Sequence, residues 1–246
     1  MKSTRKYFTL LCFLITLVNY NASAEETKNH FFKNPSCELM EKNIQLASKE
    51  DPKNKDLQEV WTTMVLDTKP ACIKTVEDNF STYSANEREI YLIALANIGR
   101  GNLAEKIADQ YQIKVPRSDG TTVADIKNLD VNNNTNNMDR AWAAFDATGD
   151  ITYPKKITAY LATQDEFSRQ MGAELVNRRM LADFAKKANI KGAMGIDDLV
   201  TATQKKYGLS QEEALNKLLP IAAAYYSLWL NENQDPELKQ QLESKI

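Results

Sequence analysis

The chain is poor in the residues on which most catalytic and metal sites depend. Its 246 residues include one histidine, His30, and three cysteines, one of which lies in the apolar run near the N-terminus. A single histidine cannot build a His-based zinc site, and it leaves Ser-His-Asp or Cys-His catalysis almost nothing to work with. Because His30 lies in a polar stretch close to the N-terminus, we predict that it belongs to a tail.

Motifs that carry familiar chemistry are also missing. The sequence contains no glycine-rich phosphate-binding loop, no Gly-x-Ser-x-Gly elbow and no His-Glu-x-x-His. The stretch 146–157 begins like a calcium-binding EF-hand loop, with Asp146 and Asp150 at its first and fifth positions. Its sixth position is Ile151 instead of glycine, and its twelfth is Ile157 instead of glutamate, so calcium is not expected. We predict no metal, no cofactor and no catalytic residue.

Glycine and proline are scarce, with 8 and 7 residues, and they fall between the apolar-periodic segments rather than inside them. Strand-like alternation is absent, and segments such as 163–188 and 210–231 repeat apolar residues with a helical period. Short links between such segments imply antiparallel neighbours. We predict an all-α protein, an irregular multi-helix bundle or two-lobed helical array of about ten helices.

The N-terminus has the form of an export signal. Three basic residues precede an apolar run over 7–18 that is too short to span a bilayer, and Ala22-Ser23-Ala24 offers a signal peptidase site. We therefore predict a cleavable signal peptide over 1–24, and no later segment is expected to span a membrane. The rest of the chain divides into three predicted regions: a helical lobe over 25–112, an irregular asparagine-rich linker over 113–137 and a second helical lobe over 138–246.

Removal of the signal peptide leaves two cysteines and a more acidic chain. The whole sequence has a net charge of −2, and the loss of three basic residues leaves −5. A mildly acidic protein is not expected to bind nucleic acid. Cys37 and Cys72 begin the first and third predicted helices, which an up-down-up arrangement brings to the same end. We predict a Cys37–Cys72 disulfide and a periplasmic or secreted protein.

Two stretches of the second half resemble a known family. Residues 138–150 are similar to a signature of the form W-x-x-F-F-A-T-G-D, with Asp146 in place of the second phenylalanine. Residues 222–231 are similar to a second segment, W-S-L-x-S-N, with Tyr226 in place of the tryptophan. The family is an uncharacterised group of exported bacterial α-helical proteins. The resemblance implies a location in the cell envelope and a helical fold, and it implies no catalytic residues.

The aromatic residues of the second half have the helical spacing of core residues, but they also provide the candidate site. The residues that could line a pocket or an interface are Trp142, Phe145, Asp146, Asp150, Tyr153, Tyr225 and Trp229. Because a helical array exposes long grooves, we expect a non-enzymatic accessory factor that binds another envelope protein, such as an immunity protein. Two alternatives stay open: a carrier with an aromatic-lined pocket for a small ligand, and an unfamiliar carboxylate-based enzyme.

Overall fold

The computed structural model describes residues 30–50, 55–114, 121–187 and 196–243. Within these ranges the chain forms α-helices and two short 3-10 helices and has no strand, which confirms the all-α prediction. The predicted signal peptide, 1–24, lies outside the described residues. None of the described helices has the length and apolar character needed to cross a membrane.

By its internal contacts the chain divides into two compact units. The first unit comprises the described residues between 30 and 129 together with 140–151. Its α-helices are α1 (Cys37–Glu50), α2 (Lys55–Thr68), α3 (Cys72–Asn79), α4 (Ala85–Asn97), α5 (Gly101–Gln110), α6 (Val123–Lys127) and most of α7 (Thr135–Thr148). Helices α2 and α4 pack together at its centre. Every residue from 60 to 66 in α2 and from 90 to 95 in α4 is buried.

The disulfide between Cys37 and Cys72 is present, so that prediction is confirmed. It joins the first residues of α1 and α3, whose Cα atoms lie 5.2 Å apart. A polar cluster joins the same two helices further along. The side-chain amide of Asn79 donates to Glu41 at 3.1 Å, and the Tyr83 hydroxyl also donates to Glu41. Burial raises the pKa of the Tyr83 hydroxyl well above its usual value, so this hydroxyl keeps its proton and remains a donor.

The predicted irregular linker, 113–137, needs correction because it contains α6 and the start of α7. Helix α6 begins with a capping box in which Thr122 and Asp125 bond to each other's backbone N–H groups. The side chain of Ile126 then anchors this single turn, because it is fully buried in the first unit. One well-buried apolar residue and one cap are therefore enough to order a helix too short to show a period in the sequence.

The asparagine tract also leads directly into a helix. Asn133 adopts a left-handed conformation with φ of 51°. Asn134 follows it, and its side-chain oxygen accepts a hydrogen bond of 3.1 Å from the backbone N–H of Asn137 in the first turn of α7. Asparagine suits both positions, because its short amide tolerates left-handed backbone and caps a helix N-terminus. Helix α7 then continues into residues 140–148, which belong to the first unit.

The second unit comprises 130–139 and 152 onwards. Its further helices are α8 (Thr152–Thr163), α9 (Glu166–Lys187), α10 (Asp197–Tyr207), α11 (Gln211–Gln234) and α12 (Pro236–Glu243). The hydroxyl of Tyr207, at the end of α10, donates to Asp165 just before α9. Arg178, further along α9, donates to Asp198 at the start of α10. Helices α9 and α10 are therefore antiparallel.

Helix α11 runs in the same direction as α9 and packs closely against it. Lys217 lies 3.9 Å from Asp165, and further along both helices Gly172 faces Ile221. A Cβ atom at Gly172 would lie 2.5 Å from Cγ2 of Ile221, so only glycine permits this approach. Pro220 also lies inside α11. The sequence-based expectation that glycine and proline fall between the helical segments is therefore wrong at these two positions. At Gly172 the close approach of α11 requires glycine and offsets its poor helix propensity.

The disulfide generates a prediction about stability. Replacing Cys37→Ser and Cys72→Ser together should lower the free energy of unfolding of the first unit by about 3–4 kcal/mol, since the lost crosslink closes a loop of this length. Urea unfolding of the mature protein followed by circular dichroism would measure the change. Reducing agent should lower the urea midpoint of the wild-type protein and leave the midpoint of the double variant unchanged. Equal midpoints for oxidised and reduced wild type would contradict the prediction.

Candidate functional site

Asp146 of the predicted signature lies near the end of α7 and makes contacts with two ring nitrogens. Trp61 of α2 donates through Nε1 to Asp146 Oδ2 at 2.7 Å, and His30 Nδ1 lies 3.1 Å from Asp146 Oδ1. The His30 ring stacks on Phe32 and meets Phe145 edge-on, with ring centroids 5.2 and 5.1 Å apart. A carboxylate, an indole and an imidazole thus form one cluster inside the first unit.

The prediction that His30 belongs to a tail is wrong. Its side chain is only 9% exposed, and the next residue, Phe31, is fully buried with its ring edge-on to Trp61 at 5.1 Å. The polar residues around His30 suggest a solvated segment, but the pair Phe31-Phe32 provides apolar surface that the fold covers. That pair is the signal in the sequence that could have placed this segment on the first unit.

Gly149 ends α7 and makes room for the same N-terminal segment. Its φ is +73°, and its N–H donates to the Phe145 carbonyl at 2.7 Å. A Cβ atom here would lie 2.7 Å from the Phe32 ring, so glycine is required both for the backbone conformation and for space. Asp150 follows on the surface, and its N–H donates to the Thr148 hydroxyl at 3.1 Å. Residues 145–150 therefore end a helix and hold the segment 30–32.

The remaining aromatic candidates of this stretch are buried and divided between the units. Trp142 lies in the first unit with its ring edge-on to Phe145, the centroids 5.7 Å apart. Arg140, half a turn earlier on α7, donates from Nε and Nη2 to the two carboxylate oxygens of Asp56 at 2.9 and 2.7 Å. This bidentate pair holds α7 beside α2. Tyr153 is buried in α8 of the second unit.

The last two candidates, Tyr225 and Trp229, lie on α11 where the second unit exposes apolar surface. The indole of Trp229 is 43% exposed, and its ring stacks on Tyr226 with centroids 6.2 Å apart. In the described ranges, the other large apolar side chain with comparable exposure is Leu46, at 40%. Because Tyr225 and Tyr226 lie four and three residues before Trp229, each is a neighbour of Trp229 on the surface of one helix.

The second unit has further half-buried apolar side chains on α9, on α11 and at the residue before α10. We define the aromatic–methionine surface by the residues Met171, Met180, Ile196, Leu219, Tyr225, Tyr226 and Trp229. All except Trp229 pack on a buried cluster formed by Leu175, Val176, Leu199, Leu218 and Ala222. The surface therefore rests on the core of the second unit, and the sequence pattern alone does not separate its members from that core.

A polar cluster that the sequence analysis missed lies at the start of α9. Asp165 caps this helix by accepting from the Ser168 N–H at 3.0 Å and from the Ser168 hydroxyl at 2.8 Å. The Tyr207 hydroxyl donates to the same carboxylate at 2.5 Å, and that hydrogen bond lowers the pKa of Asp165 to about 2. Serine, tyrosine, carboxylate and the ammonium of Lys217 resemble a catalytic set. Ser168 is fully buried, however, so its hydroxyl is closed to a substrate.

Within the described ranges, no three histidine, cysteine or carboxylate side chains come together as a metal site requires. No family model, curated protein or solved structure matches the chain. The resemblance of residues 138–150 and 222–231 to exported helical proteins stays a prediction. The function is therefore inferred from the chain's own surfaces.

The Asp146 cluster predicts a loss of stability on a small substitution. Asp146→Asn should destabilise the first unit by about 1–3 kcal/mol, since the substitution leaves one acceptor oxygen in place of two and removes the charge that strengthens the hydrogen bond from the buried Trp61 N–H. Urea unfolding followed by tryptophan fluorescence would measure the loss. The matched control is Asp150→Asn on the exposed carboxylate nearby, expected to change stability by less than about 0.5 kcal/mol. Equal losses in both variants would contradict a special role for Asp146.

The Asp165 cluster predicts a pH dependence with a definite sign. The pKa of Asp165 is about 2 in the folded protein, below the usual value of about 3.9 in an unfolded chain. Its contribution to stability is therefore fully present above about pH 4 and is lost as the pH falls toward 2. Asp165→Asn should unfold at lower urea than wild type at pH 6, and the difference should shrink at pH 2.5.

Urea midpoints of both proteins at pH 6, 4 and 2.5 would test that sign. Because the Asp165 side chain is 49% exposed, added salt should reduce the difference between the two proteins at pH 6. A difference that stays constant down to pH 2.5 would show that the ionised carboxylate does not contribute.

Proposed function

We propose that the protein is a non-enzymatic accessory factor of the cell envelope that binds another protein through the aromatic–methionine surface. The observation that carries this proposal is the 43% exposure of Trp229 beside the half-buried Tyr225 and Tyr226. Tryptophan and tyrosine are the side chains that most often dominate the energy of protein interfaces. Methionine adds an adaptable apolar surface around them.

The disulfide supports the proposed compartment. Cys37 and Cys72 form a crosslink of a kind that persists in oxidising compartments and is rare in the cytosol. The N-terminal sequence has the form of a signal peptide, and the resemblance to exported helical proteins favours the same location. Periplasmic export is thus supported by the signal-peptide pattern, by the resemblance to exported proteins and by the disulfide.

The two alternatives find less support in the described residues. An enzyme based on Asp146 would need a carboxylate free to exchange protons, whereas both of its oxygens contact ring nitrogens of Trp61 and His30. A small-ligand carrier would need the aromatic rings to enclose a cavity. Trp142, Phe145 and Tyr153 are packed into the cores instead, and Trp229 lies on the surface. An exposed aromatic surface suits a macromolecular partner better.

Crosslinking in intact cells tests the proposal. The tagged mature protein should capture one near-stoichiometric envelope protein, and Trp229→Ala should reduce that capture at least about tenfold, as the loss of an interface hot spot would. The matched control is Leu46→Ala, which removes the other exposed large apolar side chain, in the first unit. It should capture the partner as wild type does.

Circular dichroism should show that both variants fold, because each substitution removes a side chain that is already partly in water. Equal capture of the partner by the two variants would show that the partner does not bind through Trp229. No reproducible partner with any of the three proteins would overturn the proposed function.

A further inference from the structure

Two uncharged polar side chains of α2 lie in the core of the first unit. Gln58 is 5% exposed and Thr62 is fully buried. Within the described part of the chain, neither Nε2 of Gln58 nor the hydroxyl oxygen of Thr62 takes part in a hydrogen bond. Burial of such groups is costly unless they are paired, and native proteins pair nearly all of them. These two groups therefore call for a partner that is small enough to enter the core.

The hydroxyl of Thr62 is not bonded to its own helix, as helical threonines commonly are. Thr203, which is fully buried in α10, donates to the carbonyl of Leu199 at 2.8 Å. Thr68, at the end of α2, donates to the carbonyl of Met64 at 2.9 Å. Because the Thr62 hydroxyl makes no bond of this kind, the backbone of α2 does not compensate its burial.

The residue next to Thr62 shows how a buried hydroxyl of α2 is paired across the core. Asn97 of α4 donates to the hydroxyl of Thr63 at 3.3 Å. Lys55 of α2 pairs with Glu89 of α4, and both lie eight positions before that contact, so the two helices run parallel. Thr63 thus has a partner on the neighbouring helix. Thr62 is buried to the same degree and has none among the described residues.

Gln58 and Thr62 are neighbours on one side of α2. They are four residues apart, a spacing that puts Cβ atoms about 5–6 Å from each other. The two polar groups do not bond to each other directly. One water molecule between groups spaced in this way can accept from the amide N–H and donate to the hydroxyl oxygen. A neutral occupant also suits the place, since neither side chain carries a charge that would hold an ion.

We propose that Gln58 and Thr62 hold one internal water molecule in the core of the first unit. The water accepts a hydrogen bond from the Gln58 amide and donates one to the Thr62 hydroxyl. Internal waters of this kind satisfy polar groups that have no other partner, and they are costly to remove. The water accounts for two polar side chains in a part of α2 that also buries Val60 and Met64.

Thr62→Val tests the proposal, because valine has nearly the shape of threonine without its hydroxyl. A bound water would lose one of its partners, so the variant should unfold at a lower urea concentration than the wild type. If the hydroxyl has no partner at all, valine instead removes an unpaired buried polar group, and the urea midpoint should rise. A rise in the midpoint would therefore overturn the proposal.

Thr63→Val is the matched control, since it removes the neighbouring hydroxyl, which Asn97 bonds, and should lower the midpoint in either case. Gln58→Met replaces the other proposed partner of the water. The double variant of Gln58→Met and Thr62→Val should lose less stability than the two single variants together, because the place then becomes apolar and dry. Strictly additive losses would contradict a water shared by the two residues.

A high-resolution crystal structure of the wild-type protein would give a direct reading. It should show one water within hydrogen-bond distance of both Gln58 Nε2 and Thr62 Oγ1, and the double variant should show no water at this place. A direct hydrogen bond between the two side chains, or a wild-type core that is dry there, would overturn the proposal.

Discussion

The carboxylate of Asp146 joins three segments that are far apart in the sequence, because Trp61 of α2 donates to one oxygen while His30 lies against the other. Hydrogen bonds to a charged acceptor contribute about 1.5–3 kcal/mol each, more than bonds between neutral groups. They also fix the orientation of the two rings, since the Trp61 N–H and a His30 ring nitrogen must both point at the Asp146 carboxylate. The segment 30–32 and the end of α7 take their places from that requirement, and Gly149 leaves the space that Phe32 fills.

The same contacts show how residues 145–150 are used in the fold. Phe145 packs against His30, Asp146 holds Trp61, and Gly149 ends the helix, so each residue is used in building the first unit. Tryptophan and tyrosine have a different role in the second unit, where Trp229 reaches the surface. The same residue types fill the core in the first unit and reach the surface in the second.

The helical period and the cysteine positions were sufficient to predict an all-α fold and the Cys37–Cys72 disulfide, because both depend on short-range spacing. The position of His30 was missed because its partner, Asp146, lies 116 residues away in the sequence. Helix α6 was missed because five residues are too few to show a period. Gly172 inside α9 was missed because its reason is the nearness of Ile221, a residue of another helix. The failures at His30 and Gly172 concern contacts between elements, which spacing within one element does not contain.

The exposure of Trp229 was beyond sequence reasoning for a related reason. Residues 218–230 of α11 are apolar nearly all round, which is typical of a buried helix, yet a helix is covered only where neighbours reach it. Full burial of a large apolar side chain contributes roughly 1.5–3 kcal/mol of free energy. Because Trp229 stays 43% exposed in the folded chain, a partner that covered it would gain the remaining part of that free energy. The rings of Tyr225 and Tyr226 rest on the buried cluster of Leu218 and Ala222, so folding has already restricted them. Binding would then cost little further side-chain entropy. For this reason, a binding surface on a well-packed helix loses less entropy than one on a loop.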